Sequence, residues 1–486
     1  METEIKIHVV KNRAIKGIIA LTSRTFILQI ISFLATFLLT IFLKPAEYGV
    51  FFVVSAAVNF LVYFSDIGLA AALIQKKEQI NDDDLKTTFT IQQILVVSLV
   101  VIAMILSGPI ASFYKLSSAG LWLFRALVIS FFLSSLKTIP SIILERKLRF
   151  EKLIIPQIVE NLFFYISCVY LAWKGWGVNS FTIAVLLRGL SGLIVMYILA
   201  PWKPSLRIVA KSAKKLLHFG VPFQLNSILA LIKDDLLTVF LGKILTFSQI
   251  GYIGWAQKWA YFPLRFFMDS VNKVTFPAYS RIQHDKKVLG LAIEKSIYFV
   301  SVTIFPTLTG LFLAAPFFVS FFPKYSKWQP ALLSLTFFCI NAVFASVSTT
   351  LTNLLNATGK IKTTLKLMIF WTTATWILTI TLIKFFGYQG VAMASALVAA
   401  TSWITVILAR KTVYFKFWDN IKDAIFSTVI MAAVFLIISP IIISSLISLF
   451  MTVLICVIIY MLYFVTLGKT KFVREYKLMR LKSISL

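Results

Sequence analysis

The sequence predicts an all-α polytopic membrane protein with about 14 transmembrane helices: two six-helix lobes related by a parallel pseudo-twofold repeat, and two extra C-terminal helices. Three observations predict this. Of 486 residues, 59% are apolar and 15% aromatic, with a mean hydropathy of +0.89, whereas soluble domains use roughly 45–50% apolar residues. The apolar residues fall in runs of about the 20 residues that cross a bilayer. Short stretches of text also recur six runs apart.

The first run, 18–43, follows a basic N-terminus and is longer than the roughly 7–15 residues of a signal-peptide core, so it is read as a retained helix. The next runs are 49–74, 87–107, 119–140, 153–173, 178–200, 217–241 and 249–273. The ninth, 291–322, holds Pro306 and Pro316 with Pro323 beyond it, which predict a kinked or shortened helix. The remaining runs are 330–354, 363–385, 388–409, 421–440 and 443–466.

The formal charge is +29, from 48 Lys and Arg against 19 Asp and Glu. In a soluble chain that excess would suggest nucleic acid, but here the basic residues stand in short clusters between apolar runs, so no nucleic-acid partner is expected. Numbering the loops alternately, the set containing both termini holds 33 Lys and Arg and the opposite set 7. The positive-inside rule therefore predicts both termini in the cytoplasm, in a multi-pass protein of the cytoplasmic (inner) membrane. The external loops are short, leaving little room for an extracytoplasmic catalytic domain. Cys168, Cys339 and Cys456 lie far apart in apolar runs, and His8, His218 and His284 stand alone, so no disulfide, metal site or cofactor is expected.

The repeat is read from three pairs of stretches. ILERKLRFEKL from Ile143 corresponds to LLNATGKIKTTLKL from Leu354, and each is followed at a matching distance by a glycine turn, GWGV from Gly175 and GYQGV from Gly387. EYGVF from Glu47 has an echo in QIGYI from Gln249. Units of six spans start on the same side, so the relating axis lies along the membrane normal, and substrate is expected between the halves. The expected organisation is a first lobe over 1–200, a cytoplasmic linker over 201–216, a second lobe over 217–410, helices 13 and 14 over 411–466, and a basic cytoplasmic tail over 467–486.

Intramembrane charges mark candidate sites, because a charge near the bilayer centre costs on the order of 2.5–3.5 kcal/mol on insertion scales. Lys258, Arg265, Asp269 and Lys273 are spaced 7, 4 and 4 apart, which places them on one helical face. That stripe lines a cavity, or else pairs with neighbouring helices while Lys273 snorkels. Pro263 within it frees a backbone carbonyl. Lys233, Asp234 and Asp235 are consecutive, so at least one faces the protein interior. Arg188 is too deep in the sixth run to snorkel comfortably, whereas Arg24 lies roughly 9 Å into the first and could. Arg125 and Lys137 sit near the ends of the fourth run and fit snorkelling. Glu160 is a candidate counter-ion. Asp66 becomes tolerable if it faces a cavity or pairs with a base such as Arg24; a structural ion pair is the alternative.

LKPAEYGVFFVVSAAVNFLVYFSDIGLAAALIQKK, the ERKLRFEKL loop, VTFPAYSRIQHDKK and NATGKIKTTLKL with GYQGVAMASA resemble, in this order, polysaccharide flippases of the MOP exporter superfamily, the Wzx-like (O-antigen or teichuronic-acid) type. The likeness covers about residues 15 to 410. It implies two six-helix lobes around a central cavity, often with two further helices, and movement of lipid-linked oligosaccharides across the cytoplasmic membrane. Relatives carry cations in the cavity, and Arg24 matches such a position in kind. The substrate-binding residues expected on this basis are Arg24, Arg188, Lys258 and Arg265. Asp66, Glu160, Lys233, Asp234, Asp235 and Asp269 are candidate counter-ions or coupling groups. Expected partners are a lipid-linked glycan, the bilayer, and glycan polymerases or glycosyltransferases. An ion-coupled multidrug exporter of the same superfamily is the first alternative, but basic residues lead acidic ones by 8 to 5 within the spans. An integral membrane glycan polymerase or glycosyltransferase is the second, and it lacks the expected external loop. A transporter, not an enzyme, is therefore expected.

Overall fold

The computed structural model describes residues 7–65, 67–76, 78, 80–225 and 231–483, and every regular element among them is helical. Contacts divide the chain into two compact units, residues 1–254 and 255–486.

The first unit holds α1 (Ile7–Phe42), α2 (Pro45–Tyr63), α3 (Leu69–Gln75), α4 (Asp82–Tyr114), α5 (Ser118–Ser135), α6 (Thr138–Arg146), α7 (Phe150–Trp173), α8 (Val178–Leu199) and α9 (Ala210–Leu225). A π-helical turn, Ile232–Leu236, then leads into α10 (Leu237–Ile244). Within this unit α7 packs against α1 and α8, α8 against α5, and α5 against α2 and α4. The next helix, α11 (Phe247–Ile282), runs from the first unit into the second. The second unit continues with α12 (Lys286–Phe321), a 3₁₀ turn Pro323–Ala331, α13 (Leu332–Ala357), α14 (Ile361–Phe386), α15 (Gln389–Ala400), α16 (Trp403–Arg410), α17 (Phe417–Ile442) and α18 (Leu446–Ser483). There α12 packs on α13 and α17, α13 on α15, α14 on α15, and α17 on α18.

Among the described residues 12 segments are long and apolar enough to cross a membrane. They account for all the runs read from sequence except 217–241 and 249–273. The former falls on α9 to α10, where residues 226–230 lie outside the described residues, and the latter on the charge-bearing α11. Large apolar side chains stand outward, such as Ile105 (71% exposed) and Ile441 (79%), while Thr40, Ser301, Thr350 and Thr379 are buried. That inversion suits lipid: the apolar surface needs no cover, and a buried hydroxyl can return its proton to its own helix, as Thr350 Oγ1 does to the Ser346 carbonyl at 3.1 Å.

The second run, 49–74, is not one helix. It ends at Tyr63 and restarts at Leu69. Phe64 and Ser65 form a turn, and Gly68 takes φ +77, a left-handed conformation that glycine adopts without strain. Asp66 lies outside the described residues. The Arg146 guanidinium binds the frayed end of α3, donating Nη1 to the carbonyls of Leu73 at 2.7 Å and Lys76 at 2.6 Å and Nη2 to that of Glu78 at 3.1 Å. The ninth run, expected to be kinked or shortened, is a continuous helix of 36 residues with Pro306 and Pro316 inside it.

The linker lies along the start of α4. Its extended backbone at Arg207 donates to Thr90 Oγ1 at 2.9 Å, Val209 N donates to Thr87 Oγ1 at 3.1 Å, and the Arg207 guanidinium meets Asp83 at 2.9 Å. Lys215 hydrogen-bonds Glu78 at 2.5 Å and holds that carboxyl below the usual carboxylate range. Helix resumes at Ala210, before the expected end of the linker at 216.

The two glycine turns read from sequence share a backbone conformation. Gly177 ahead of α8 has φ 53 and ψ −127, and Gly387 ahead of α15 has φ 58 and ψ −146. This region is essentially restricted to glycine. Because α8 packs on α5 and α7, and α15 on α13 and α14, each turn introduces a helix that packs on two neighbours of its own unit.

Candidate functional site

The first unit gathers charge around one residue of α7. Glu160 accepts a hydrogen bond from Lys137 Nζ at 2.5 Å, with both side chains about one-eighth exposed. The pair packs over Gly192 of α8, where a Cβ would stand 2.9 Å from the ammonium nitrogen. Lys137, expected to snorkel, is instead held by a partner, because α7 brings a carboxylate within reach at the end of α5. Glu160 therefore has a counter-ion of its own.

Arg24 on α1 lies within electrostatic reach of Glu160, yet its Nε is buried with no hydrogen-bond partner among the described residues. Such a donor is costly to leave unmade, by about 1–3 kcal/mol. One turn along α7 from Glu160, the Phe164 ring carries the Arg188 guanidinium at 5.8 Å. The next residue, Tyr165, donates its hydroxyl to Ser32 Oγ at 2.9 Å, tying α7 to α1. The side chains of Arg24, Lys137 and Arg188 against Glu160 thus leave a surplus of two positive charges around one helix. Tyr165 and Ser32 were not picked out in the sequence; uncharged residues in an apolar run give no signal of a polar contact between helices.

The other candidates stand elsewhere. Lys233, Asp234 and Asp235 form the π-helical turn before α10, a geometry frequent at functional sites. Asp235 accepts from Asn59 Nδ2 of α2 at 3.5 Å, so at least this residue of the three turns to a neighbouring helix. In the second unit, Lys258 of α11 is half-buried and Arg265 exposed. The side chains of Asp269 and Lys273 lie outside the described residues. On the same helix Tyr261 donates to Asn341 Oδ1 at 3.0 Å, and Asn341 Nδ2 donates to the Ser395 carbonyl at 2.7 Å. Asn353 Nδ2 donates to Asn272 Oδ1 at 2.7 Å. The unit thus has a polar seam of uncharged amides that charge patterning could not find. Arg125 is tied within the first unit, its Nε donating to Ser107 Oγ at 3.1 Å.

Residues 38–333, more than half of the chain, match the family described as polysaccharide biosynthesis protein. The chain belongs to that family. Its relatives include an uncharacterized membrane protein of the cps region of Klebsiella pneumoniae, 27% identical over 71% of this chain and 70% of that protein. Lipopolysaccharide biosynthesis protein WzxC of Escherichia coli (strain K12) is 26% identical over 63% of this chain and 62% of its own. Among solved structures, lipid II flippase MurJ in an inward closed conformation superposes with a TM-score of 0.75 at 15% identity, covering 93% of this chain and 99% of that one. An inward-facing multidrug resistance MATE transporter of the MOP superfamily does so at 0.61 and 16%, covering 79% and 95%. This family member therefore has the all-helical, multi-pass membrane fold that MurJ and the MATE transporters share, as its motifs implied.

Proposed function

We propose that this protein is a flippase that carries a polyprenyl-pyrophosphate-linked oligosaccharide, the repeat unit of a polysaccharide, across the cytoplasmic membrane by alternating access. It acts as a transporter and not as an enzyme. The family membership supports the polysaccharide assignment, and WzxC and MurJ, named for lipopolysaccharide biosynthesis and lipid II flipping, support the substrate class. The observation that carries the reading furthest is the cationic surplus around Glu160, with the orphaned Nε of Arg24.

The physical problem is to pass a doubly charged, hydrated head group through hydrocarbon. Arg24 and Arg188 would replace water around the pyrophosphate with charge-assisted hydrogen bonds, in bidentate fashion where the guanidinium fork fits. Lys258 and Arg265 are the candidate anion contacts of the second half of the repeat. Glu160 holds Lys137 and tempers the field on Arg24, so that binding stays reversible. Asp66, Lys233, Asp234, Asp235 and Asp269 are the candidates for counter-ions or coupling groups. The polyprenyl tail would remain in lipid while residues 1–200 and 217–410, repeats related by an axis along the membrane normal, rock to expose the head group to one side and then the other. Both termini would face the cytoplasm, and glycan polymerases or glycosyltransferases would supply and use the cargo. The matching backbones of Gly177 and Gly387 support the repeat on which this depends. The MATE likeness gives multidrug export a claim on the fold, but a cationic drug would meet repulsion at Arg24 and Arg188.

The test is export in cells lacking the native gene. Arg188→Ala and Arg24→Ala should each lower surface glycan at least 10-fold at unchanged membrane abundance, and Arg188→Lys should rescue in part, keeping charge but losing the fork. Abundance falling in step with export would assign the arginines to structure instead.

A further inference from the structure

The second unit carries a groove of about 320 Å³ between α12, α13, α16 and α17. Its wall is almost wholly apolar, with Phe305 of α12, Val347 of α13, Val406 of α16 and Ile425 of α17 among its side chains. Phe344, Ile425 and Val429 of the same wall are exposed, so the groove opens on the outward surface of the unit. In a bilayer such a groove holds hydrocarbon, because an unfilled one would leave its lining without contacts.

The length of the groove indicates what fills it. Along α17 it runs from Trp418 to Val429, eleven residues on, or about 16 Å at the helical rise. One leaflet supplies about 15 Å of the roughly 30 Å hydrocarbon core, so the groove takes one acyl chain from the head-group level to the midplane.

One end of the groove has the character of an interface. Trp403 and Trp418 stand exposed there with ring centroids 5.6 Å apart, and the Phe417 ring lies 5.2 Å from that of Trp403. Tryptophan is enriched at the head-group level. Arg410 closes α16, and Lys411 and Lys416 lie between it and α17, all three exposed. The Arg410 guanidinium is held over the Phe415 ring at 6.0 Å, and that ring lies 6.5 Å from Phe417 of the groove wall. Lys422 follows Trp418 by one turn on the same face of α17, and its half-exposed side chain meets Asp419 at 3.3 Å. Against these four bases stand Asp419, Asp423 and Glu294, the last turned to the Lys416 N–H at 2.7 Å, so the mouth keeps a positive charge.

We propose that this groove binds an anionic glycerophospholipid of the membrane, which lays one acyl chain between α12, α13, α16 and α17 and sets its phosphate among Arg410, Lys411, Lys416 and Lys422. Lipid tails are as apolar as the wall, so the chain gives position and little preference, and the head group selects the lipid. Arg410 offers phosphate paired donors, and Lys422 reaches the same level by snorkelling. The bound lipid joins four helices that are far apart in the chain, and so ties the second unit together. Arg24 and Arg188, the proposed contacts of the cargo, belong to the first unit, and the lipid site stands whatever the cargo is.

The probe is phosphatidylglycerol with a photoreactive diazirine midway along one chain, irradiated with the purified protein in phosphatidylcholine nanodiscs. Label should concentrate on the peptides holding residues 343–348 and 421–429, and unlabelled phosphatidylglycerol should displace it at least 10-fold more effectively than added phosphatidylcholine. Arg410→Gln combined with Lys422→Gln should cut that label at least 5-fold, while label on α4, where Ile105 stands outward, stays constant and reports an inserted protein. Ile425→Trp, which fills the groove and keeps the charges, should cut it as well. Label spread evenly over the outward helices, or equal displacement by the two lipids, leaves only an unselective lipid annulus and overturns the site. Displacement by polyprenyl-diphosphate-linked N-acetylglucosamine but not by phosphatidylglycerol also overturns it, and gives the groove to the tail of the cargo.

Discussion

Glu160 and Lys137 show how far single residues can be read. Their charges were visible in the sequence, but their pairing was not, because one sits at the end of α5 and the other on α7, and helix periodicity says nothing about which helices become neighbours. The same limit hid Tyr165, Asn341 and Asn353, whose partners lie on other helices. Removing one member of a buried pair costs about 3–5 kcal/mol, whereas replacing both by apolar groups is often neutral. Glu160→Ala should therefore lower the unfolding midpoint in detergent, and Lys137→Met combined with Glu160→Met should restore it. If export returns with stability, the pair is structural. Export that stays lost in the restored protein makes Glu160 part of the transport site.

At the scale of elements, most of the runs were legible, since length and hydropathy fix a membrane helix with little help from its neighbours. The breaks were harder. The stretch FSDIG interrupts an apolar run without a proline, and only Gly68 with φ +77 and its close approach to Gly220 shows why the helix must stop there. Conversely, Pro306 and Pro316 suggested a kinked or shortened helix, and the helix that holds them is not shortened but continuous over 36 residues. Turn glycines give a sharper test. Gly387→Ala meets no atom within 4 Å, so its cost of about 1–3 kcal/mol should come from backbone strain alone. Gly177→Ala should cost more, since its Cβ would also lie 2.6 Å from Glu47 Oε1, the carboxylate that accepts from Lys44 N. Gly108→Ala, helical and in open space, should be neutral or stabilising. Unfolding in graded detergent would rank the three. The linker responds to acid in a stated direction: the depressed Glu78 carboxyl contributes above its unfolded pKa, and that contribution is lost as pH falls through the lower folded value. Protection of the helix amides around Lys215, taken relative to their intrinsic exchange rate at each pH, should accordingly fall below about pH 4 and be retained at neutrality.

At the scale of the whole molecule, class and family were legible because they rest on composition and ordered motifs, both of which survive without coordinates. The grouping of charges was not, because it depends on which spans share a unit. The expected orientation has a direct check: Lys477→Cys in the tail should resist an impermeant maleimide in intact cells and react after permeabilisation, while Lys174→Cys in the short loop after α7 should react in both. The central claim is that this family member moves a pyrophosphate-linked glycan by holding its anion on Arg24 and Arg188. The most direct measurement is translocation of polyprenyl-diphosphate-linked N-acetylglucosamine in proteoliposomes, read by a lectin confined to one side, for the native protein and for the Arg24→Ala, Arg188→Ala double variant. The native protein should expose the sugar on the far leaflet, and the double variant, equally folded, should do so at least 100-fold more slowly. Equal rates in the two proteins, or no translocation by the native one, would contradict the account.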